Sequence, residues 1–297
     1  MTFDTRQALS IQAARTINVG RGSGGGAPVD PSGALFYENF EAQTVDQSPT
    51  GGNSFLTWGN GTRTKTLDDR SYTGTKALRF RFPGDPDPSA MAMSEQRFTL
   101  GSQETEMWWR YKLWIPANYQ HRIGSGANNN KGLLMLWSQG YSSGPTVSLH
   151  FGTPNDFVDG TSASNPNGSV IYAAWRQENG VLRNFYNENN LSENHKNNMD
   201  PTKGIRAEHF GQWNDIVVHV KAATNDAPYD GAVQAWVNDE SMYNVTNATN
   251  YFPSNNYWDE GYLLGWANSG FDEETDLYID DILIGRTSES INFTVPV

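Results

Sequence analysis

The sequence predicts an all-β fold, a jelly-roll β-sandwich of two antiparallel sheets preceded by an extended N-terminal arm. Three observations carry this prediction. Apolar residues recur with period two, or in short apolar runs, in at least ten segments of six to nine residues. Gly, Pro, Asn and Asp punctuate these segments, as strands joined by turns require. No long stretch shows helical periodicity, and nothing repeats at solenoid or propeller spacing, so βαβ units and repeat arrays are excluded.

Residues 1–33 stand apart from the rest. Thr5 to Ala14 has the makings of a short helix, and Gly20 to Pro28 reads Gly-Arg-Gly-Ser-Gly-Gly-Gly-Ala-Pro, a flexible-linker composition. Such a segment takes a fixed path only against a neighbour. It is therefore read as an attachment arm, with residues 34–297 as one domain. Leu35 to Phe40 opens that domain. Ala77 to Phe82 alternates cleanly and stops at Pro83-Gly84. Met107 to Ile115 is the strongest strand, ended by Pro116. Gly132 to Trp137 is an apolar run before Gly140, and Thr146 to Phe151 alternates up to Gly152. Ser169 to Arg176 leads to a turn at Asn179-Gly180. Trp213 to Lys221 alternates, Asp230-Gly231 introduces Ala232 to Val237, and Gly261 to Trp266 and Leu277 to Ile284 close the fold. Two long loops, 156–168 and 187–207, have the length that binding loops often reach.

The composition removes several classes of function. The 297 residues include no Cys, which rules out disulfides and thiolate zinc sites. A formal charge of -12 opposes binding to nucleic acid through its phosphates and docking on an anionic membrane. No apolar run is long enough to span a bilayer. An acidic polysaccharide would have to be held by a local cationic site working against the overall field. Met1 to Gln7 lacks the charged-then-apolar plan of a secretion signal, which favours intracellular assembly over secretion.

Strand alternation places Met107, Trp109, Tyr111 and Leu113 on one face and Trp108, Arg110, Lys112 and Trp114 on the other. The first set reads as core. The second combines two indoles with two cations, a surface suited to the C–H faces of sugars and above all of anionic sugars. The bland alternative is a solvated outer face on which the Arg and Lys stems cover the indoles. In Thr146 to Phe151, His150 shares a polar face with Thr146 and Ser148, where it could serve as a general base. His219 shares a face with Asp215 and Lys221 and reads as an exposed structural residue. No His pair has the spacing of a helical zinc site. Asp272, Glu274 and Asp276 form a weak candidate Ca²⁺ site of oxygen ligands; no other cofactor is expected. Glycosidase carboxylates on a framed strand, a Gly-x-Ser-x-Gly elbow and a phosphate-cradling loop are all missing.

Several segments taken together resemble a known superfamily. They are Met107-Trp108-Trp109-Arg110-Tyr111-Lys112-Leu113-Trp114-Ile115-Pro116, Asn130-Lys131-Gly132-Leu133, Trp213 to Val220, Asp230 to Asn238 and Leu277-Tyr278-Ile279-Asp280-Asp281-Ile282-Leu283-Ile284-Gly285. Their order resembles the concanavalin A-like lectin/glucanase superfamily, closest to its polysaccharide-lyase-like branch, which includes glucuronan and alginate lyases. The resemblance runs from Leu35 to Gly285. It implies that a concave sheet holds the sugar chain, that Arg or Lys neutralises the uronate carboxylate, and that Tyr or His removes the C5 proton. Arg110, Lys112, Lys131 and His150 stand where such residues would, and Tyr141 and Tyr172 are candidates for the Tyr. The superfamily's lectins often bind Ca²⁺.

The leading expectation is a virion-associated structural protein of decoration or fibre type, from a bacteriophage. Residues 1–33 would anchor it to other virion subunits, and a lectin-like face made of Trp108, Arg110, Lys112, Trp114, Lys131 and His150 would bind surface glycans. Self-association into a homo-oligomer is compatible with that role. The alternative is a polysaccharide lyase acting on acidic glycans by β-elimination, secreted, with Arg110, Lys112 and His150 as its catalytic set. A third reading is a rigid decoration module that binds no glycan.

Overall fold

A computed structural model describes residues 33–87, 90–119, 131–138, 143–150, 175–178, 181–184, 205, 207–225, 230–248, 251–267 and 270–296. The expected arm, residues 1–33, lies outside them but for Gly33, as do Tyr141, Tyr172 and nearly all of the two long loops.

The described residues form fifteen strands and two short 3₁₀ turns. The strands are β1 (Phe36–Glu38), β2 (Leu56–Thr62), β3 (Thr64–Leu67), β4 (Ala77–Phe82), β5 (Ala92–Glu104), β6 (Glu106–Ile115), β7 (Lys131–Ser138), β8 (Ser143–His150), β9 (Trp175–Glu178), β10 (Val181–Asn184), β11 (Gln212–Lys221), β12 (Gly231–Val237), β13 (Glu240–Ala248), β14 (Trp258–Ala267) and β15 (Thr275–Gly285). An eight-stranded sheet runs β13-β12-β11-β6-β15-β4-β3, with β1 also paired to β15. A five-stranded sheet runs β2-β5-β14-β7-β8, and the β9-β10 hairpin lies beside β8. All ladder pairings are antiparallel, and the two sheets make the predicted jelly-roll sandwich.

The core lies between the sheets. The large sheet contributes Leu78, Phe80 and Phe82, Met107, Trp109, Tyr111 and Leu113, Ile216, Val218 and Val220, and Leu277 and Ile279. The small sheet answers with Leu56, Trp58, Phe98, Leu100, Leu134, Leu136, Val147, Leu149 and Leu263. Phe98 packs on Trp109 with ring centroids 5.0 Å apart. The Tyr111 hydroxyl crosses the interior to donate to the Leu133 carbonyl at 2.9 Å, which satisfies a polar tip that burial would otherwise make costly.

Five strands escape the apolar pattern, and the inward side of β5 shows why. Its residues Ser94 and Gln96 are buried. Gln96 is held by the Thr64 hydroxyl at 2.8 Å and donates to the Gly59 carbonyl at 2.8 Å. A satisfied polar core position breaks the alternation that marks a strand in the sequence.

The outer face of the large sheet is covered by two segments. Residues 69–75 lie over β6 and β15. Asp280, fully buried, accepts from the backbone N–H groups of Tyr72 at 2.7 Å and Thr73 at 3.1 Å, while Asp281 accepts from the Thr73 and Tyr37 hydroxyls. The Asp280-Asp281 pair is thus a fastening for this loop. The C-terminal segment, with its 3₁₀ turn Glu289–Ile291, covers the β11 and β12 side of β6.

Candidate functional site

The sandwich separates the residues that the sequence grouped. Trp108, Arg110, Lys112 and Trp114 do share one face of β6, pointing away from the core. That face is closed. β11 runs antiparallel to β6 with Asp215 opposite Lys112, Val217 opposite Arg110 and His219 opposite Trp108. Asp215 therefore lies between the two cations. Arg110 meets it through Nε at 3.1 Å and Nη2 at 2.7 Å, and Lys112 Nζ is 3.1 Å away. Burial alone would raise the Asp215 pKa, but the two cations hold it below the usual aspartate value. Arg110 Nη1 also donates to the backbone carbonyls of Ile291 and Asn292, and so pins the C-terminal turn.

The two indoles are occupied as well. Trp108 is 8% exposed, stacked on His219 with centroids 4.0 Å apart and on Trp236 at 5.8 Å, with Phe293 beside them. His219 is itself buried, bridging Gln234 at 2.7 Å and Glu106 at 2.9 Å; it is structural but not exposed. The Arg70 guanidinium sits 3.9 Å over the ring of Trp114. No ring face of Trp108 is open to a sugar, and Arg110 and Lys112 both turn to the single carboxylate of Asp215. The expectation of a glycan platform or catalytic set on this strand is corrected: the four residues lock the back of the large sheet.

The acidic run is also tied internally. Arg81 pairs with Asp276 in bidentate fashion, at 2.9 and 2.7 Å, and reaches Glu274 at 3.1 Å. Asp276 lies opposite Arg81 across the β15–β4 pair, so the register makes this contact. The oxygens that a Ca²⁺ ion would need are used by a guanidinium, and Asp272, Glu274 and Asp276 do not converge on a cation. Among the described residues, no group of three or more His, Cys, Asp or Glu could hold a metal.

Lys131 and His150 lie on the other sheet, and the fold brings them together. They are direct Cα partners across β7 and β8. On β8 the buried residues Val147 and Leu149 fill the core, so positions 146, 148 and 150 belong to the outer face of the small sheet. Beyond a register shift in the same sheet, a line runs across four strands: Arg97 on β5, Tyr262 on β14, Met135 on β7 and Ser148 on β8. Met135, Trp137 and Tyr262 form a buried cluster of their own, and Trp137 Nε1 donates to Glu260 at 2.7 Å. Arg97 is half exposed and meets the buried Glu95 through Nε at 2.7 Å, while the second oxygen of Glu95 has no partner among the described residues.

Arg97, Glu95 and Tyr262 were missed in the sequence. The signal existed, because Arg97 alternates with Gln96 and Phe98, but the polar inward positions of β5 hid it. Arg97 gives this sheet a half-exposed guanidinium, and Lys131 and His150 are paired positions of the same sheet.

Comparisons with known proteins agree with this placement of the fold. An endo-β-1,4-glucuronan lyase from the fungus Trichoderma reesei superposes with a TM-score of 0.53 at 13% identity, covering 88% of this chain and 100% of its own. An alginate lyase bound to an alginate tetrasaccharide gives 0.55 at 12% identity, over 85% and 96% of the two chains. The alginate lyase vAL-1 from Chlorella virus gives 0.51 at 11% identity, over 80% and 95%. At these identities the likeness shows the shared fold. Among curated proteins, none matches the chain. The family model described as "Polysaccharide lyase" matches residues 38–283, nearly the whole sandwich. That match overturns the expectation of a virion structural protein: the sandwich is that of a polysaccharide lyase family. The chain belongs to the polysaccharide lyase family.

Proposed function

We propose that this chain is a polysaccharide lyase that cleaves uronate-containing glycans by β-elimination on the outer face of its small sheet. The observation that carries the proposal is the pairing of Lys131 with His150 across β7 and β8, within a chain of this family. The similar structures include lyases whose names give alginate and glucuronan, both uronate polymers, as their substrates.

The chemistry asks for few parts. A uronate C5 proton is weakly acidic because the neighbouring carboxylate can take up the charge. A cation at that carboxylate lowers the cost of the resulting enolate. Lys131 supplies the ammonium, and Arg97 adds a guanidinium from the same sheet. His150 takes the C5 proton as base, which requires its neutral form. The electron pair of the broken C5–H bond forms the C4=C5 double bond as the C4–O4 bond breaks, and the leaving O4 picks up a proton. No oxidant and no water are consumed. The products are a chain with a free hydroxyl and a chain ending in an unsaturated uronide.

The test is direct. Glucuronan and alginate are mixed with the protein, and the absorbance of unsaturated uronide is followed. A rising signal is expected, with Lys131→Ala and His150→Gln each slowing it by roughly 100-fold or more, the scale of lost acid–base or charge-stabilising groups, at unchanged thermal stability. A flat trace across a panel of polyuronates would refute the proposal.

A further inference from the structure

We infer that a cationic cleft at the β3 edge of the large sheet is a second binding site, one that holds carboxylates of an acidic glycan away from the small sheet. The choice of a uronate chain as its occupant rests on the lyase reading; the site itself rests on the residues that line it. Arg63, Lys65, Arg79 and Arg81 all border a cleft of about 590 Å³, with Glu274 on its wall. Four cations around one open cleft make a strong local field in a chain of net charge -12.

The strand register builds this cluster. β3 is the last strand of the large sheet, and Lys65 stands directly opposite Arg79 of β4. Arg63 forms the corner between β2 of the small sheet and β3, with φ +55°, and its carbonyl accepts from the Arg81 N–H at 3.1 Å. Like charges opposed across two strands repel, so the pairing of Lys65 with Arg79 costs stability unless something offsets it.

The nearby carboxylates do so only in part. Asp276 is taken up by Arg81, at 2.9 and 2.7 Å, and Glu274 is 3.1 Å from the same guanidinium. Arg79 reaches Asp276 only at 3.9 Å, beyond hydrogen-bond distance. Its side chain is 14% exposed, and its Nε is buried with no partner among the described residues. Asp46 lies 3.4 Å from Lys65, but both side chains are well exposed, and such a pair is weak. Arg63 donates to the Met93 carbonyl at 3.0 Å and meets no carboxylate among the described residues. Lys or Arg on an edge strand also guards against pairing with another chain. That role does not account for Arg79, which stands one strand in from the edge and is mostly buried. Planar guanidinium groups with uncommitted donors match a carboxylate in shape and charge, and a cleft at the rim of the sandwich lets a long chain pass through.

Native gels cast with and without alginate or glucuronan, the polymer in large excess, read the site; migration relative to the polymer-free gel gives Kd. The wild type is expected to be slowed by both polymers and not by carboxyl-reduced alginate, whose uronates have become neutral sugars. Arg63→Gln combined with Lys65→Gln is expected to weaken binding by roughly 10-fold. Both side chains are exposed, and a thermal melt confirms the fold. Asp46→Asn releases Lys65 and keeps a residue that accepts the φ of +65° found there, and it is expected to tighten binding about two-fold. A wild type that is not slowed, slowing that survives carboxyl reduction, or an unchanged Kd in the double variant would each overturn the inference. If polyuronates yield no unsaturated uronide while the double variant loses a carboxylate-dependent slowing, the lyase reading falls and the cleft stands. If the uronide absorbance rises while the double variant binds as the wild type does, the cleft falls and the lyase reading stands.

Discussion

Replacing Arg110 with Met tests the correction that moved this residue from binding to structure. Arg110→Met keeps the aliphatic stem and removes the guanidinium. In the native protein that group makes charged hydrogen bonds to both oxygens of Asp215, at 3.1 and 2.7 Å, and holds the carbonyls of Ile291 and Asn292. The side chains of Arg110 and Asp215 are 22% and 13% exposed, so solvent screens the pair only in part. Removing one partner of a buried pair costs about 3–5 kcal/mol. Lys112 remains 3.1 Å from Asp215 and softens the loss, which leaves about 2–4 kcal/mol. For a domain of this size each kcal/mol moves Tm by about 2–4 °C, so a fall of roughly 5–15 °C is expected by circular dichroism at neutral pH. The pH arm has a definite sign. Asp215 titrates lower folded than unfolded, so its contribution is present above the ordinary aspartate value and is lost as pH falls through the folded one. Arg110→Met should therefore flatten the fall in Tm between about pH 5 and pH 3. Lyase activity, measured well below the lowered Tm, should stay within about two-fold, because Arg110 faces away from the small sheet. A variant with native Tm, or one that is folded but inactive, would refute this assignment.

Two further substitutions probe the fold. Burial and then the Asp281 charge push Asp280 up to about 8, against its three backbone donors. Its folded value exceeds the unfolded one, so its contribution is full below about pH 4 and declines as pH rises towards 8, by at most about 1.4 kcal/mol per unit. Asp280→Asn should flatten the loss of Tm between pH 5 and pH 8 in thermal melts, and an unchanged slope would show that Asp280 does not titrate there. Gly261 faces the core, and a methyl group there would lie 2.4 Å from the Phe98 ring and 2.4 Å from the Met135 carbonyl. Gly261→Ala should lower stability by about 1–3 kcal/mol in urea unfolding, the scale of an overpacked core, and a neutral result would mean that β14 shifts freely between β5 and β7.

The sandwich was legible because its strongest strands obey the two-residue period. Ala77–Phe82 has the bounds read from the sequence, and Met107–Ile115 gains only Glu106. The alternation on β6 was also read correctly, with Met107, Trp109, Tyr111 and Leu113 in the core. What periodicity cannot give is the cover on the other face. Nothing in Trp108, Arg110, Lys112 and Trp114 tells that Asp215 lies opposite Lys112 on the next strand, or that the C-terminal segment folds back over Trp108. An ion pair and a solvated cation have the same one-letter code, and only long-range register separates them. The same limit split the proposed site. Arg110 and Lys131 read as one cationic set, yet β6 and β7 belong to different sheets whose outer faces look in opposite directions.

That division also says where an enzyme of this architecture has room to work. A sandwich buries one face of each sheet against the other, so any large ligand must use an outer face or a rim. The large sheet has given up its outer face: Asp280 and Asp281 fasten one covering loop, and Arg110 holds down the C-terminal turn over the Trp108–Trp236 stack. Charged groups of that sheet are held in internal contacts, Arg110 and Lys112 with Asp215 and Arg81 with Asp276. The small sheet carries instead an exposed indole at Trp266, a half-exposed Arg97 and the paired positions Lys131 and His150. The asymmetry has a physical rationale. On the lyase reading proposed above, catalytic side chains need open faces, which cost stability, and the locked back of the large sheet supplies rigidity that offsets that cost.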